Sequence, residues 1–156
     1  MPEQTDTKEF TITRVFEAPR DVVWRAWTAD TEVATWWHPR GIEVKAGSTV
    51  TDVRVGGRYA YTMVNPLDGQ EYPTAGVYRE VSPPERLVFT WASPNDADDE
   101  APVITVELSE LPDDRTGMRF HMIGWVGEPG DGNVYDGWAS AFDMLAEHLA
   151  DHRGHL

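Results

Sequence analysis

The histidines near the C-terminus are the first candidates for chemistry in this chain. His148 and His152 lie four residues apart, so a helix would place both on one face, and His155 follows closely. Two imidazoles at this spacing can ligate zinc. The alternative is a solvated C-terminal tail, which the sequence favours, so no metal site is predicted.

Two further histidines lie nearer the predicted interior. His38 follows two tryptophans at the end of a short predicted helix. It could line the mouth of a cavity, or it could cap the last carbonyls of that helix, and capping is favoured. His121 alternates with Phe120 and Met122 along a predicted strand, so it is expected on the outer face.

Carboxylates and glycine motifs give no clearer site. The acidic stretch 95–100 could bind calcium, but it lacks the spaced ligands, central glycine and terminal glutamate of an EF-hand, which favours a solvated loop. The sequence contains neither Gly-x-Ser-x-Gly nor His-Glu-x-x-His, and residues 130–132 are interpreted as a turn before a helix. Glu107 and Asp52 are predicted to face outward or to lie at the margin of the interior. We therefore predict no catalytic residue, no metal and no cofactor.

The bulk composition limits the class of protein. A chain of 156 residues, with 40% hydrophobic and 26% charged residues, is typical of one soluble globular domain. The formal net charge of −14 disfavours nucleic acids and anionic membrane surfaces as partners, because both require clustered Lys and Arg. No apolar run approaches a membrane span, residues 1–8 lack the apolar middle of a secretory signal, and cysteine is absent. These features predict a cytoplasmic protein.

Hydrophobic periodicity predicts the elements of one domain over residues 1–156, with a core at about 10–150. A strand over Phe10–Glu17 precedes two short helices, one with Pro19 as its first residue and one over about Thr31–Trp37. Further strands are predicted at 47–55, 58–64, 72–81, 87–92, 103–111 and 118–125, with a hairpin turn at 65–69. The last element is a helix of about 18 residues, capped by Asp131 or Asn133. Its apolar stripe is Val134, Trp138, Ala141, Phe142, Leu145 and Leu149.

This order predicts an α+β helix-grip fold. A curved antiparallel sheet of about six to seven strands surrounds the long C-terminal helix, and the two short helices after the first strand close one end. Such a geometry leaves room for a cavity lined by large apolar side chains, although dry core packing is the favoured explanation for any single one of them. Arg14 and the tyrosine hydroxyls are the polar groups expected nearby. The predicted cavity residues are Trp24, Trp36, Trp37, Tyr59, Tyr61, Met63, Tyr78, Phe89, Trp91, Val106, Phe120, Met122, Trp138 and Phe142. Trp125 has the opposite parity and is not included.

Several short sequence motifs along the chain resemble those of a known family. They are Arg14–Pro19, Val23–Thr28, Trp36-Trp37, Val55–Tyr59, Asp68-Gly69, Gly76–Val81, Pro83–Trp91 and Gly137-Trp138. In this order they resemble the activator of Hsp90 ATPase homologue 1-like (AHSA1-like) family, over about Phe10 to Leu149. The resemblance implies the helix-grip fold of the START/Bet v 1-like (SRPBCC) superfamily. The family is named after a co-chaperone domain that stimulates the Hsp90 ATPase, whereas most short bacterial relatives look like stand-alone cavity proteins.

The favoured function is therefore binding of a small apolar or aromatic ligand in an aromatic-lined cavity. One alternative is a polyketide cyclase/aromatase-like enzyme, which is less favoured because the inward positions are nearly free of charge. The other is a chaperone-interacting module of the kind that the family name implies. On the outer face, Val77, Val88 and Ile123 could support a homodimer or lie under a loop.

Overall fold

One long helix lies against the concave face of a single antiparallel sheet. The structure is a computed structural model that describes residues 9–38, 41–45, 47–91, 102–124, 127, 130 and 134–154. The strands are β1 Glu9–Phe16, β2 Glu43–Val44, β3 Val50–Thr51, β4 Arg58–Val64, β5 Glu71–Ser82, β6 Arg86–Thr90, β7 Val103–Leu111 and β8 Arg115–Ile123. The helices are α1 Arg20–Thr28, α2 Asp30–Trp36 and α3 Val134–Gly154.

The sheet runs in the order β1-β8-β7-β6-β5-β4-β2, and β3 also pairs with β4. Its pairings are antiparallel, and a register shift between Tyr78 and Glu80 marks a bulge where β5 passes from β4 to β6. Bulges of this kind bend a strand and increase its twist, which helps the sheet to curl around a helix. The predicted α+β helix-grip fold is confirmed. Among the described helices, none combines the length and the apolarity needed to cross a membrane.

The predicted strand over residues 47–55 is confirmed only at Val50–Thr51, and its predicted bounds are too long. Only Val50 and Thr51 pair with β4 in this stretch, and the two-residue strand β2 precedes them. The chain then turns tightly, because Arg54 N donates to Asp52 O at 2.9 Å and Gly57 N donates to Arg54 O at 2.8 Å. Alternating side chains therefore indicate a strand here, but the turn ends the ladder after two residues.

The helices deviate from the sequence prediction only at their ends. Pro19 is the N-cap of α1 rather than its first residue, since its ψ of 157° is extended while its carbonyl already accepts Val23 N at 3.1 Å. Past α2, His38 Nε2 lies 3.3 Å from Thr35 O, which confirms the predicted capping interaction. The apolar stripe of α3 is confirmed from Trp138 to Leu149 by burial. The side chain of Val134 and the candidate caps at 131 and 133 lie outside the described residues.

A close backbone approach joins β4, β5 and β6. Tyr59 OH donates to Thr90 O at 2.5 Å, and its ring crosses Gly76 on the way. A Cβ added to Gly76 would lie 2.0 Å from Thr90 O and 2.6 Å from the Tyr59 ring. Glycine is therefore required at this position by contact with fixed neighbours.

Substituting Gly76→Ala should lower the free energy of unfolding by roughly 1–3 kcal/mol, because backbone and ring must move apart to admit the methyl group. Chemical denaturation followed by circular dichroism measures this change. Gly117→Ala on β8 is the matched control, because the nearest atom to its added Cβ is Leu111 Cδ1 at an ordinary 3.6 Å. Equal stability of the two variants would contradict the argument.

Three tyrosine hydroxyls lie in the core. Burial raises the pKa of Tyr59, Tyr61 and Tyr78 above the ordinary value of 10.0, because the tyrosinate would lose its hydration. Hydrogen bonds with the Trp91 and Thr74 side chains offset part of the rise in the pKa of Tyr61. The negative charge of Asp52 adds to the rise in the pKa of Tyr78.

These raised pKa values predict alkaline sensitivity. The unfolded chain loses these protons near pH 10 and the folded chain does not, so their stabilising contribution is complete below about pH 10 and is lost as the pH rises further. Tyrosinate absorbance at about 295 nm should therefore rise at higher pH in the folded protein than in the chain unfolded by guanidinium. Tyr78→Phe should remove about one tyrosine from the delayed fraction. Coincident titration curves would refute the prediction.

Candidate ligand-binding core

Aromatic rings from α1, α2, α3, β6 and β8 meet at Trp27. Its ring centroid lies 4.7 Å from that of Trp36 and 6.1 Å from that of Phe89. Four further rings surround it at centroid distances from 5.8 to 6.4 Å. They belong to Trp37, Phe120, Trp138 and Phe142. Edge-on and tilted geometries dominate, as expected for aromatic rings that contact one another in a core.

A second group of rings extends from Trp37 towards β4 and β5. The Trp37 ring lies 5.2 Å from Tyr59 and 5.3 Å from Tyr61, measured between centroids. Tyr59 in turn lies 5.6 Å from Tyr78. The strand parity predicted for these tyrosines is confirmed, since all three are buried.

The structure brings most of the predicted cavity residues into one core. The buried members are Trp36, Trp37, Tyr59, Tyr61, Tyr78, Phe89, Val106, Phe120, Met122, Trp138 and Phe142. Trp24, Met63 and Trp91 are partly buried and pack against that core. The role of these residues in binding a ligand stays a prediction.

Trp27 is the central residue that the predicted set omitted. On α1, Val23, Ala26 and Trp27 are buried, whereas Trp24 lies at the edge of that face. The spacing i, i+3 and i+4 was the available signal, because these three positions share one helix face. The tryptophan of α1 at the centre of the core is Trp27, and Trp24 lies at its margin.

Several polar atoms in this core have no hydrogen-bond partner within the described part of the chain. They include the indole Nε1 of Trp27, Trp37 and Trp138. The hydroxyl of Tyr78 also has no partner in that part of the chain. A buried polar group without a partner costs roughly 1–3 kcal/mol, so such atoms require an explanation.

Charged groups stay at the margin of the described core. The buried polar side chains found among the described residues are His38, Thr74, Thr90 and Thr116. Arg14 Nη1 donates to Asp143 Oδ1 at 2.9 Å, and its guanidinium lies 5.9 Å from the centroid of the Phe142 ring. The described core therefore contains large apolar rings and hydroxyls without a buried carboxylate.

A ladder of charges occupies the opposite, outer face of the sheet. Glu107 accepts from Arg86 and, at 3.3 Å, from Arg119. Arg86 also donates to Glu80 at 3.0 Å. These residues border an open groove of about 990 Å³ that extends to β1. Its charged side chains neutralise one another across neighbouring strands. Glu107 is thus outward-facing, as predicted, and Asp52 is exposed beside Arg54.

The histidines join elements of the fold. His121 lies on the outer face, as predicted, where Nε2 is 2.9 Å from Glu9 Oε1 and Nδ1 is 2.7 Å from Thr11 Oγ1. His148 Nε2 lies 3.1 Å from Glu32 Oε1, which connects α3 to α2. Residues 95–100, Trp125, His155 and the His152 side chain lie outside the described residues.

Solved structures share this architecture. Protein CV1439 from Chromobacterium violaceum is 26% identical over 91% of this chain and 97% of its own, with a TM-score of 0.77. A protein from Arthrobacter aurescens is 23% identical over 96% of this chain and 90% of its own, also with a TM-score of 0.77. An HSP90 activator from Plasmodium falciparum is 19% identical over 78% of this chain and 76% of its own, with a TM-score of 0.58.

Sequence comparison identifies the family directly. No curated protein matches the chain. A family model described as activator of Hsp90 ATPase homolog 1-like protein matches residues 17–150, which include most of the described core. The chain therefore belongs to the activator of Hsp90 ATPase homolog 1-like family, with the helix-grip fold that its sequence predicts.

Proposed function

We propose that this protein binds a small apolar or aromatic molecule between α1, α3 and the concave face of the sheet. The observation that carries the proposal is the convergence of rings from two other helices and two strands on Trp27 of α1. Rings give large contact areas with few rotatable bonds, which suits the recognition of flat apolar guests. The small number of buried polar groups in the described core favours binding over acid-base catalysis.

The guest would enter beside β2. Val44 of β2 pairs with Met63 of β4, and both are partly buried against the core. Trp91 is also partly buried against the core, and its ring lies 5.5 Å from that of Trp138. A two-residue strand is held by few hydrogen bonds, so its displacement costs less than the opening of a long ladder.

A second candidate function is interaction with a chaperone. It is favoured by the family match and by the fold shared with the Plasmodium falciparum HSP90 activator. Such a module would act through its surface, and it would not require the interior to open.

Ligand binding is tested by native mass spectrometry of protein purified from its own host, followed by thermal unfolding with a panel of aromatic compounds. A retained small molecule should leave the protein on denaturation. A binder at 100 times its Kd should raise the Tm by roughly 5–10 °C, because only the folded state binds it. Ligand-free protein combined with no thermal shift across the panel would contradict the proposal.

Met63→Arg tests the position of the opening. A guanidinium on β4 beside Val44 should weaken binding of a panel hit at least tenfold, because the charge must be desolvated as the ligand enters. Leu67→Arg is the matched control, since Leu67 is 93% exposed in the turn after β4. Similar affinities for the two variants would place the opening elsewhere.

The chaperone candidate predicts that adding the protein to Hsp90 from the same host stimulates ATP hydrolysis. If the protein acts as a co-chaperone, this stimulation should persist in Met63→Arg, because the chaperone would contact the surface of the protein and not its interior. An unchanged ATPase rate on adding the wild-type protein would exclude this candidate.

A further inference from the structure

The outer face of the sheet carries an ordered row of charged side chains. Glu80 on β5, Arg86 on β6, Glu107 on β7 and Arg119 on β8 lie on four neighbouring strands. Glu107 is directly opposite Arg86 on one side and Arg119 on the other, while Glu80 is diagonal to Arg86. Across the sheet the signs alternate as minus, plus, minus, plus. We call this row of four residues the charge ladder.

The two ends of the charge ladder have unused hydrogen-bonding capacity within the described residues. In the middle, Arg86 donates to Glu80 Oε1 at 3.0 Å and also to Glu107 Oε2. At the β8 end, Arg119 makes one such contact, from Nη1 to Glu107 Oε1 at 3.3 Å. At the β5 end, Glu80 accepts through Oε1 alone. Their side chains are about half exposed, so a carboxylate and a guanidinium at opposite ends are open to a partner.

The order of the signs is self-complementary under a two-fold rotation. Read in reverse, minus, plus, minus, plus becomes plus, minus, plus, minus. A two-fold axis parallel to the strands, between β6 and β7, would therefore set every charge against its opposite in a second copy. Arg86 would face Glu107 of the second copy, and Glu80 would face Arg119 of the second copy. A two-fold dimer requires this property, because both copies use the same surface.

The net charge of the chain favours this face over the rest of the surface for self-association. The chain has 13 Lys and Arg against 27 Asp and Glu, a net charge of −14, so two copies repel each other overall. The charge ladder is locally neutral, with two residues of each sign. A partner of a single sign would meet like charges at half of the ladder, whereas a second copy meets opposite charges at all four positions.

Apolar side chains beside the charge ladder follow the same symmetry. Ile123, at the end of β8, is 50% exposed, and Val77 and Val88 are partly exposed on β5 and β6. The strand register places all three on the same side of the charge ladder. The two-fold axis sets β8 of one copy against β5 of the other, so Ile123 would face Val77 of the second copy. Burial of these side chains would add an apolar contact to the charge pairs.

We infer that the protein forms a two-fold dimer through the outer face of its sheet, with the charge ladders of the two copies paired in opposite directions. The long Arg and Glu side chains span the gap that two curved sheets leave between them. The interface lies on the face away from α3 and the aromatic core. The inference is therefore independent of the proposed ligand binding.

Charge reversal at the two ends of the charge ladder tests the arrangement by sedimentation velocity. The wild-type protein should sediment with twice the 17.6 kDa of one chain. Glu80→Arg and Arg119→Glu should each raise the dimer dissociation constant at least tenfold, because the symmetry creates two pairs of like charges in either homodimer. Mixed in equal amounts, the two variants should form a heterodimer, because all four positions of the ladder are then complementary again.

Mixing separates the interface from any effect inside one chain. Each variant also loses a charge pair of its own ladder, but mixing changes no contact within a chain, so only contacts between copies explain a regained dimer. Lys45→Glu is the matched control, since Lys45 is 54% exposed beside Glu71, away from the charge ladder. It should leave the dimer dissociation constant unchanged. Circular dichroism shows that each variant is folded.

Ile123→Asp tests the same face without altering the charge ladder. A carboxylate opposite Val77 of the second copy should weaken the dimer at least tenfold, because it would be desolvated without a partner. Leu67→Asp, at a side chain that is 93% exposed in the turn after β4, should have no effect.

The outcomes that overturn the inference are distinct. A wild-type protein that stays monomeric over the whole concentration range would overturn the dimer. A dimer that Arg119→Glu and Ile123→Asp leave unchanged would overturn the choice of face. Two monomeric charge-reversal variants that remain monomeric when mixed would overturn the two-fold pairing of the charge ladders.

Discussion

The burial of Trp27 is the constraint on which the interior depends. A single indole on the second turn of α1 contacts rings of α2, β6, β8 and α3. Each of those elements has a different position along the chain, so the contact joins residues that are far apart in sequence. Removing so large a side chain from the centre would leave a cavity whose lining rings lose their partners on one side. The helix pair α1–α2 is therefore a structural part of the core as well as its cover.

The two faces of the sheet carry different kinds of side chain. The concave face carries aromatic rings, and the convex face carries Glu80, Arg86, Glu107 and Arg119 as a mutually paired ladder. This division keeps charge away from the rings and leaves indole N–H groups as the distinctive polar feature of the described interior. Unused donors in an apolar setting are costly in the free protein. The proposed function and the stability of the core thus concern the same residues.

Much of the fold was predictable, because the spacing of apolar residues within a strand or helix shows which of its faces is buried. The strand β7 was predicted with its observed bounds, and alternation along β4 and β8 separated buried Tyr59 and Phe120 from their outward neighbours. The errors have local causes too. Residues 47–55 alternate like a strand, but a turn at Asp52–Gly57 ends the pairing. On α1, Trp24 was included and Trp27 omitted, because two large rings three residues apart lie near the same helix face and only packing decides which is central.

The sequence by itself determined the class of fold, the family, and which side of most strands is apolar, because side-chain periodicity is a property of neighbouring residues. Only the tertiary structure decided that Trp27 lies at the centre of the aromatic core. It also decided that Trp36 Nε1 donates to a backbone carbonyl, whereas the Nε1 atoms of Trp27, Trp37 and Trp138 have no partner among the described residues. Hydrogen-bond partners of a buried indole come from whichever elements pack against it. That choice depends on the packing of α1, α2 and α3 against the sheet, which no local pattern contains.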